Sequence, residues 1–340
     1  MRSLTCSLLC LAIFLSPLPS AANSKEDAAR QLLDKSYRQA DIWTQGPLQL
    51  DADVTVPQNG KPPVQLNYKI SWASPNKWRL EWSGAGYSRV IVVNDGKMYR
   101  SSSTAVPPVV VLEYERALGA LNGRGYGGPS GATPDLSGAK VEVAHQKFGK
   151  VQAECIRVKG PYLELCVDPS SAQAVSTTST DLSKFLFSDY APVGSASFPT
   201  SIRHVADPDK QVLLDSRVSV TVPANLPESL FTPPAAAVAS DYAACSEGAG
   251  TLQGGRLEKK VTPVYPQNAK LNRHQGTVLL YAILGKDGSI QILKPVSAYW
   301  PELQESAMEA VKDWKYSPYL RCGQPIEVEM LISVNYSLTY

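Results

Sequence analysis

The feature that most constrains this chain is alternation with a period of two, and it is cleanest near the C-terminus. Ile326, Val328, Met330, Ile332, Val334, Tyr336 and Leu338 fall on one parity, and Glu327, Glu329, Ser333 and Asn335 fall on the other. A slip of one residue would turn the whole apolar row to water, so such a segment folds as a strand in one register with one face buried. The pattern recurs upstream. Leu66, Tyr68, Ile70 and Trp72 alternate with Asn67, Lys69 and Ser71, and Trp78, Leu80 and Trp82 alternate with Arg79 and Glu81. Ser74-Pro75-Asn76 between them is turn chemistry. Arg89–Val93 is a further strand that turns at Asn94-Asp95-Gly96 and returns through Met98 and Tyr99. Val141–Ala144, Ser201–Val205 and Val212–Val222 add more. Strands of this kind joined by short turns build antiparallel sheets with one face toward a core.

Two helical segments interrupt the strands. Ser24 suits an N-cap with Asp27 at the capping-box position. Ala28, Leu32 and Ser36 then face one way, with Leu33 and Tyr37 beside them, to about Ala40. Val109–Leu121 is the second helix. Residues 23–232 are therefore expected to form a twisted antiparallel sheet with one or two helices against its concave face. An Ala, Ser and Gly-rich stretch, 233–255, reads as a flexible linker. Residues 256–340 carry strand Thr277–Leu284, a turn at Lys286-Asp287-Gly288, strand Ser289–Val296, a helix opening at Pro301, and the final strand. Leu303, Ala307, Val311 and Trp314 make one apolar stripe on that helix, whose last turn closes onto Pro318. The fold class is α+β, and 340 residues suit two folded domains.

The first 22 residues read as a secretion signal. Arg2 supplies the positive charge, Leu4–Leu15 the apolar run, and Ser20-Ala21-Ala22 the small residues before cleavage. Cys6 and Cys10 leave with it. Cys155, Cys166, Cys245 and Cys322 remain, an even number in an exported chain, which points to disulfides. Three pairings are open, and strand register favours one. With Lys159–Tyr162 as a loop, Val158 lies opposite Leu163 and Cys155 opposite Cys166 at a close, non-hydrogen-bonded position. Cys245 is then left for Cys322, a long-loop bridge of about 4 kcal/mol in the chain-entropy picture.

A net charge of +2 without a basic, aromatic-laced run gives no footing for nucleic acid. Gly123-Arg124-Gly125-Tyr126-Gly127-Gly128 follows a helix rather than a strand, so it lacks the setting of a dinucleotide loop. The Ser-x-x-Lys runs at Ser74–Lys77 and Ser137–Lys140 sit in a turn and at a strand start, not on a helix. His145, His204 and His274 have no ligand spacing. No enzyme, cofactor or metal is expected.

Tyr265-Pro266, Ala269, Gly276-x-Val278, Asp287-Gly288, Ala310-x-x-x-Trp314-x-Tyr316-x-Pro318 and Gly323-x-Pro325 occur in that order. Together they make the last quarter of the chain resemble the TonB C-terminal domain family. That resemblance implies a module that grips a short extended peptide of an outer-membrane receptor or another envelope protein. The peptide would add to the sheet along the last strand: Ile326, Glu327, Val328, Glu329, Met330, Leu331, Ile332, Ser333, Val334 and Asn335. It also places Thr262, Tyr265 and Pro266 near the peptide, with Thr262 and Val264 flanking Pro263 where the family often carries a Gln. The location implied is the periplasm, or the inner membrane facing the periplasm if the signal stays. Neither a spanning helix nor a Pro-rich spacer is visible, so pulling force is not expected from this chain alone.

The paired "NYKISWASPNKWRLEW" strands, "VNDGKMY" and the stretch ending in "LFTPP" resemble the periplasmic lipoprotein carriers of the LolA type. This second resemblance implies a half-barrel with a helical lid. Tyr68, Ile70, Trp72, Trp78 and Trp82 would line an apolar cavity for a lipid ligand, which is the alternative function: carriage of lipid or lipoprotein acyl chains.

Overall fold

The computed structural model describes residues 21–121, 140–158, 163–178, 183–206, 211–242 and 252–338. The N-terminal part runs α1 (Ala21–Gln39), β1 (Leu48–Gln58), β2 (Lys61–Ser74), β3 (Lys77–Gly84), β4 (Tyr87–Asn94), β5 (Lys97–Ser102), α2 (Val109–Leu121), β6 (Val141–Phe148), β7 (Val151–Val158), β8 (Leu163–Val167), β9 (Ala174–Thr178), β10 (Lys184–Val193), β11 (Ala196–Val205), β12 (Val212–Thr221) and β13 (Val238–Asp241). These strands form one 13-stranded sheet in the order β13-β5-β4-β3-β2-β1-β12-β11-β10-β9-β8-β7-β6, with every pairing antiparallel. Sequence neighbours pair nearly everywhere. The exceptions are the β1–β12 contact, which joins two meanders at the middle, and the β13–β5 contact at one edge.

Helices α1 and α2 share one apolar core with this sheet. Ala29, Leu33 and Tyr37 of α1 and Tyr114, Ala117 and Leu121 of α2 meet Leu50, Ile70, Trp78, Trp82 and Phe185 there. The buried stripe of α1 is Ala29-Leu33-Ser36-Tyr37, whereas Ala28 is exposed, so the expected stripe is displaced at its start. Ser24 and Asp27 lie inside α1 rather than at its cap, because the helix already runs from Ala21. Strands β1, β9 and β10 are additional to those expected from the sequence. The first part of the expected linker, 233–255, joins the large sheet: β13 pairs with β5, and Trp78 Nε1 donates to the Tyr242 hydroxyl at 3.3 Å. The side chains of this segment are small, but its backbone continues the ladder.

The C-terminal part runs β14 (Leu252–Gln253), β15 (Leu257–Lys259), α3 (Gln267–Leu271), β16 (Gly276–Leu284), β17 (Ile290–Ser297), α4 (Pro301–Val311), β18 (Lys315–Tyr316), β19 (Tyr319–Arg321), β20 (Gln324–Ile326) and β21 (Val328–Tyr336). Its main sheet has the order β17-β16-β21, and α4 covers one face through Leu303, Ala307 and Val311 against Leu280, Ala282 and Ile332. The helix stops at Val311, earlier than expected. Lys315–Tyr316 is a short strand paired with β15, and the Trp314 indole donates to Val261 O at 2.8 Å. The β16–β17 turn depends on Gly288. Its φ is +79°, and a Cβ there would meet the Tyr316 carbonyl oxygen at 1.9 Å. Cys322 and Gly323, both at positive φ, make the two-residue turn between β19 and β20.

Cys155 and Cys166 are bonded, in the register expected from the loop between them. Cys322 is disulfide-bonded as well, and its expected partner Cys245 lies outside the described residues, as does the glycine run 123–128. Among the described residues no helix is long and apolar enough to cross a membrane, and no group of His, Cys, Asp and Glu is arranged to hold a metal ion.

Candidate functional site

Strand β21 is the outer strand of its sheet. It pairs with β16 from Val328↔Leu284 to Tyr336↔Gly276, and among the described residues no strand pairs with its other side. An unpaired side of a strand leaves a row of N–H and C=O groups without ladder partners. The segment marked in the sequence is not one strand, however. Ile326 belongs to β20, where it pairs with Tyr319 in a separate three-stranded sheet, and Glu327 lies between the two strands. The Cys322-Gly323 hairpin uses the first residues of the alternating run, and the docking candidate shortens to Val328–Asn335.

The two faces of β21 meet different surroundings. Ile332, Val334 and Tyr336 enter the core under α4, with Met330 packed at its margin. On the other face, Leu331 and Tyr281 of β16 pack against Leu112 of α2. This face also carries Glu327, Glu329, Ser333 and Asn335, the polar parity of the alternating run. The first two of these are held by the N-terminal part. Arg89 Nη2 donates to Glu329 Oε2 at 2.5 Å, and Arg100 Nη1 donates to Glu327 Oε1 at 3.1 Å. Ser333 and Asn335 stay exposed. The strand is thus half sheathed, from Glu329 to Leu331, and half open.

Electrostatics reinforce the sheathing. Burial alone would push the Glu329 carboxyl up, but Arg89 and Arg100, with a hydrogen bond from the Tyr281 hydroxyl, hold it below the usual carboxylate range. Glu115 of α2 faces the same arginine at 3.7 Å, and burial dominates there, so its carboxyl is raised. Arg89 lies between the two and is 6% exposed. None of Arg89, Arg100, Leu112, Glu115 or Tyr281 was marked in the sequence. One signal was present: Arg89 shares the parity of Tyr87, Ile91 and Val93, and an arginine in a buried row needs a buried partner.

Tyr265 and Pro266 form the turn into α3. The Tyr265 ring meets the Tyr336 ring edge-to-face at 5.3 Å, and its hydroxyl donates to His274 O at 2.6 Å. They therefore support the far end of β21, while Thr262 is exposed on the approach to that turn. Tyr68, Ile70, Trp72, Trp78 and Trp82 are all buried, at 1–3% exposure. Tyr68 and Trp82 pack with Tyr114 of α2, and the Trp82 indole donates to Glu115 Oε1 at 2.8 Å. Trp72 donates to Trp43 O at 3.1 Å. Ser36 Oγ, Tyr37 Oη and Trp43 Nε1 are buried with no hydrogen-bond partner.

Residues 261–338 match the family model of the Gram-negative bacterial TonB protein C-terminal region. Protein TonB of Vibrio cholerae is 31% identical over 83 residues, which is 24% of this chain and 34% of that protein, so the chain spans about a third of the length of this curated relative. Among solved structures, a LolA superfamily protein from Nitrosomonas europaea aligns with a TM-score of 0.39 at 12% identity, over 60% of this chain and 97% of that one. A putative outer-membrane lipoprotein-sorting protein domain from Vibrio parahaemolyticus aligns with a TM-score of 0.39 at 6% identity, over the same shares.

Proposed function

We propose that this protein works in the bacterial envelope as a TonB-like peptide-binding module, docking an extended segment of an outer-membrane receptor or a related envelope protein onto β21. The observation that carries the reading is the position of β21 at the rim of a three-stranded sheet, within the residues that match the TonB C-terminal model. Backbone groups of the rim supply affinity, and side chains on alternate positions select the partner. Ser333 and Asn335 are the exposed selectors, because Glu327 and Glu329 are engaged by Arg100 and Arg89. We place the domain boundary between β13 and β14 and the location in the periplasm.

The test is a titration of isotope-labelled protein with a synthetic peptide copying the extended N-terminal segment of an outer-membrane receptor plug. Amide signals of 328–335 are expected to move, while those of β17, the opposite rim, stay in place. Saturating peptide that moves neither rim, or only β17, overturns the reading.

The orphaned polar atoms of Ser36, Tyr37 and Trp43 favour one second reading, an amphiphile held between α1 and the large sheet. It makes the N-terminal part a carrier of lipid or acyl chains. A delipidated sample that fails to bind a fluorescent fatty-acyl probe argues against it.

A further inference from the structure

A chain of polar contacts runs from the core of the large sheet to the docking rim. Trp82 Nε1 donates to Glu115 Oε1 at 2.8 Å. Glu115 Oε2 lies 3.7 Å from Arg89 Nη1, and Arg89 Nη2 donates to Glu329 Oε2 on β21 at 2.5 Å. Arg100 Nε completes the far side, 3.6 Å from Glu329 Oε1. Arg89 is the only one of these groups that touches carboxylates on both α2 and β21. Its hold is uneven. Nη1 is buried and makes no hydrogen bond, so Glu115 attracts the guanidinium without securing it. A buried donor without an acceptor favours any small shift that gives it one.

We infer that Arg89 is a positioning residue coupling α2 of the N-terminal part to the docking strand. A movement of α2 toward Arg89 lets Nη1 reach Glu115 and draws Nη2 from Glu329. Glu329 is then left largely buried against Arg100 and Tyr281 alone, and the Glu329–Leu331 half of β21 loosens. Helix α2 can transmit such a movement because its own stripe, Tyr114, Ala117 and Leu121, packs in the large core, while Leu112 packs on Leu331 and Tyr281. Whatever shifts α2 on the large sheet toward Arg89 thus resets the rim where a strand would add. The inference rests on the docking reading of β21, but its test needs no peptide.

The experiment is amide hydrogen exchange on the full chain for the wild type, Glu115→Gln, Glu329→Gln and the double variant. Gln at 115 still accepts from Trp82 but no longer attracts Arg89. Coupling through a shared residue is expected to change exchange of Val328–Leu331 roughly two- to thirtyfold in Glu115→Gln, although residue 115 does not touch β21. The double variant should resemble Glu329→Gln rather than the product of the two single effects. If Glu115→Gln alters exchange only in α2, or if the two effects multiply, the coupling is refuted. If Glu115→Gln raises exchange throughout the large sheet, Trp82→Phe, which frees Glu115 from its hydrogen bond while leaving its charge, is read by the same two criteria. Peptide titration of the wild type bears on docking alone, so the two ideas fail separately.

Discussion

The large sheet and the small sheet bury strands of the same pattern in different company. In the large sheet, the apolar parity of strands such as β3 meets helices only tens of residues away, and Leu80 and Trp82 end in the same core as α2. In the small sheet, only one parity of β21 does this. Its other parity meets Arg89 and Arg100, which lie 240 and 227 residues away along the chain. Alternation therefore tells which residues share a face. It does not tell whether the polar face meets water or another part of the protein.

The largest separation of the two sheets is expected from Trp82→Ala. Deleting a fully buried indole costs about 3–5 kcal/mol, and urea unfolding followed by circular dichroism should show the large sheet losing that amount. Leucine at 331 tests the other sheet: Leu331→Ala, at the contact with Leu112 and Tyr281, is expected to cost about 2 kcal/mol. Its effect should concentrate on the contact between the two parts, read as faster proteolysis between β13 and β14. Equal loss in both sheets would show that the molecule unfolds as one unit and would erase the distinction. Replacing Cys155 and Cys166 by Ser opens a short loop within the large sheet and should cost about 3 kcal/mol in the chain-entropy picture, without altering β21 amide signals.

Acid separates the two carboxylates that face Arg89. Glu329 is held below the usual range, so the folded state binds its proton less readily than the unfolded chain. The stability it adds is whole above the ordinary carboxylate range and is lost as pH falls through its lowered value. Glu115 is raised, so between its folded value and the ordinary range a fall in pH adds stability. Glu329→Gln is expected to remove the acid loss, and Glu115→Gln the preceding gain, in stability measured against pH. The smallest effect belongs to the open half of the strand: Ser333→Ala should change stability by less than about 0.5 kcal/mol. A larger loss would mean that this half is covered too.

Much of the fold was legible because local rules decide it. Hairpin turns such as Asn94-Asp95-Gly96 and the two-residue alternation fixed β2 to β5 and the Cys155–Cys166 pairing. Strands β1 and β10 carry the same signal in Leu48, Leu50, Ala52 and Val54 and in Phe185 and Phe187, all buried. The turns that close them, Asn59-Gly60 after β1 and Gly194-Ser195 after β10, are two-residue hairpin chemistry as well, so both strands were legible by the same local rules. Strand β13 was illegible, since Val238–Asp241 is held by the β5 ladder rather than by an apolar face. The division at Ile326 followed from a turn at Cys322-Gly323 that uninterrupted alternation concealed. The Arg89 contacts required tertiary knowledge, although an arginine in an apolar row announced that some partner had to exist.

Cysteine trapping tests the docking rim most directly. Cross-strand neighbours bring their Cβ atoms within about 5 Å, so a cysteine at Ser333 should form a disulfide with one cysteine position of an added peptide strand and skip the next. The same peptides should not be trapped by a cysteine at Ile292, on the opposite rim. Trapping at Ile292 but not at 333, or equal trapping by every peptide position, would contradict strand addition at β21.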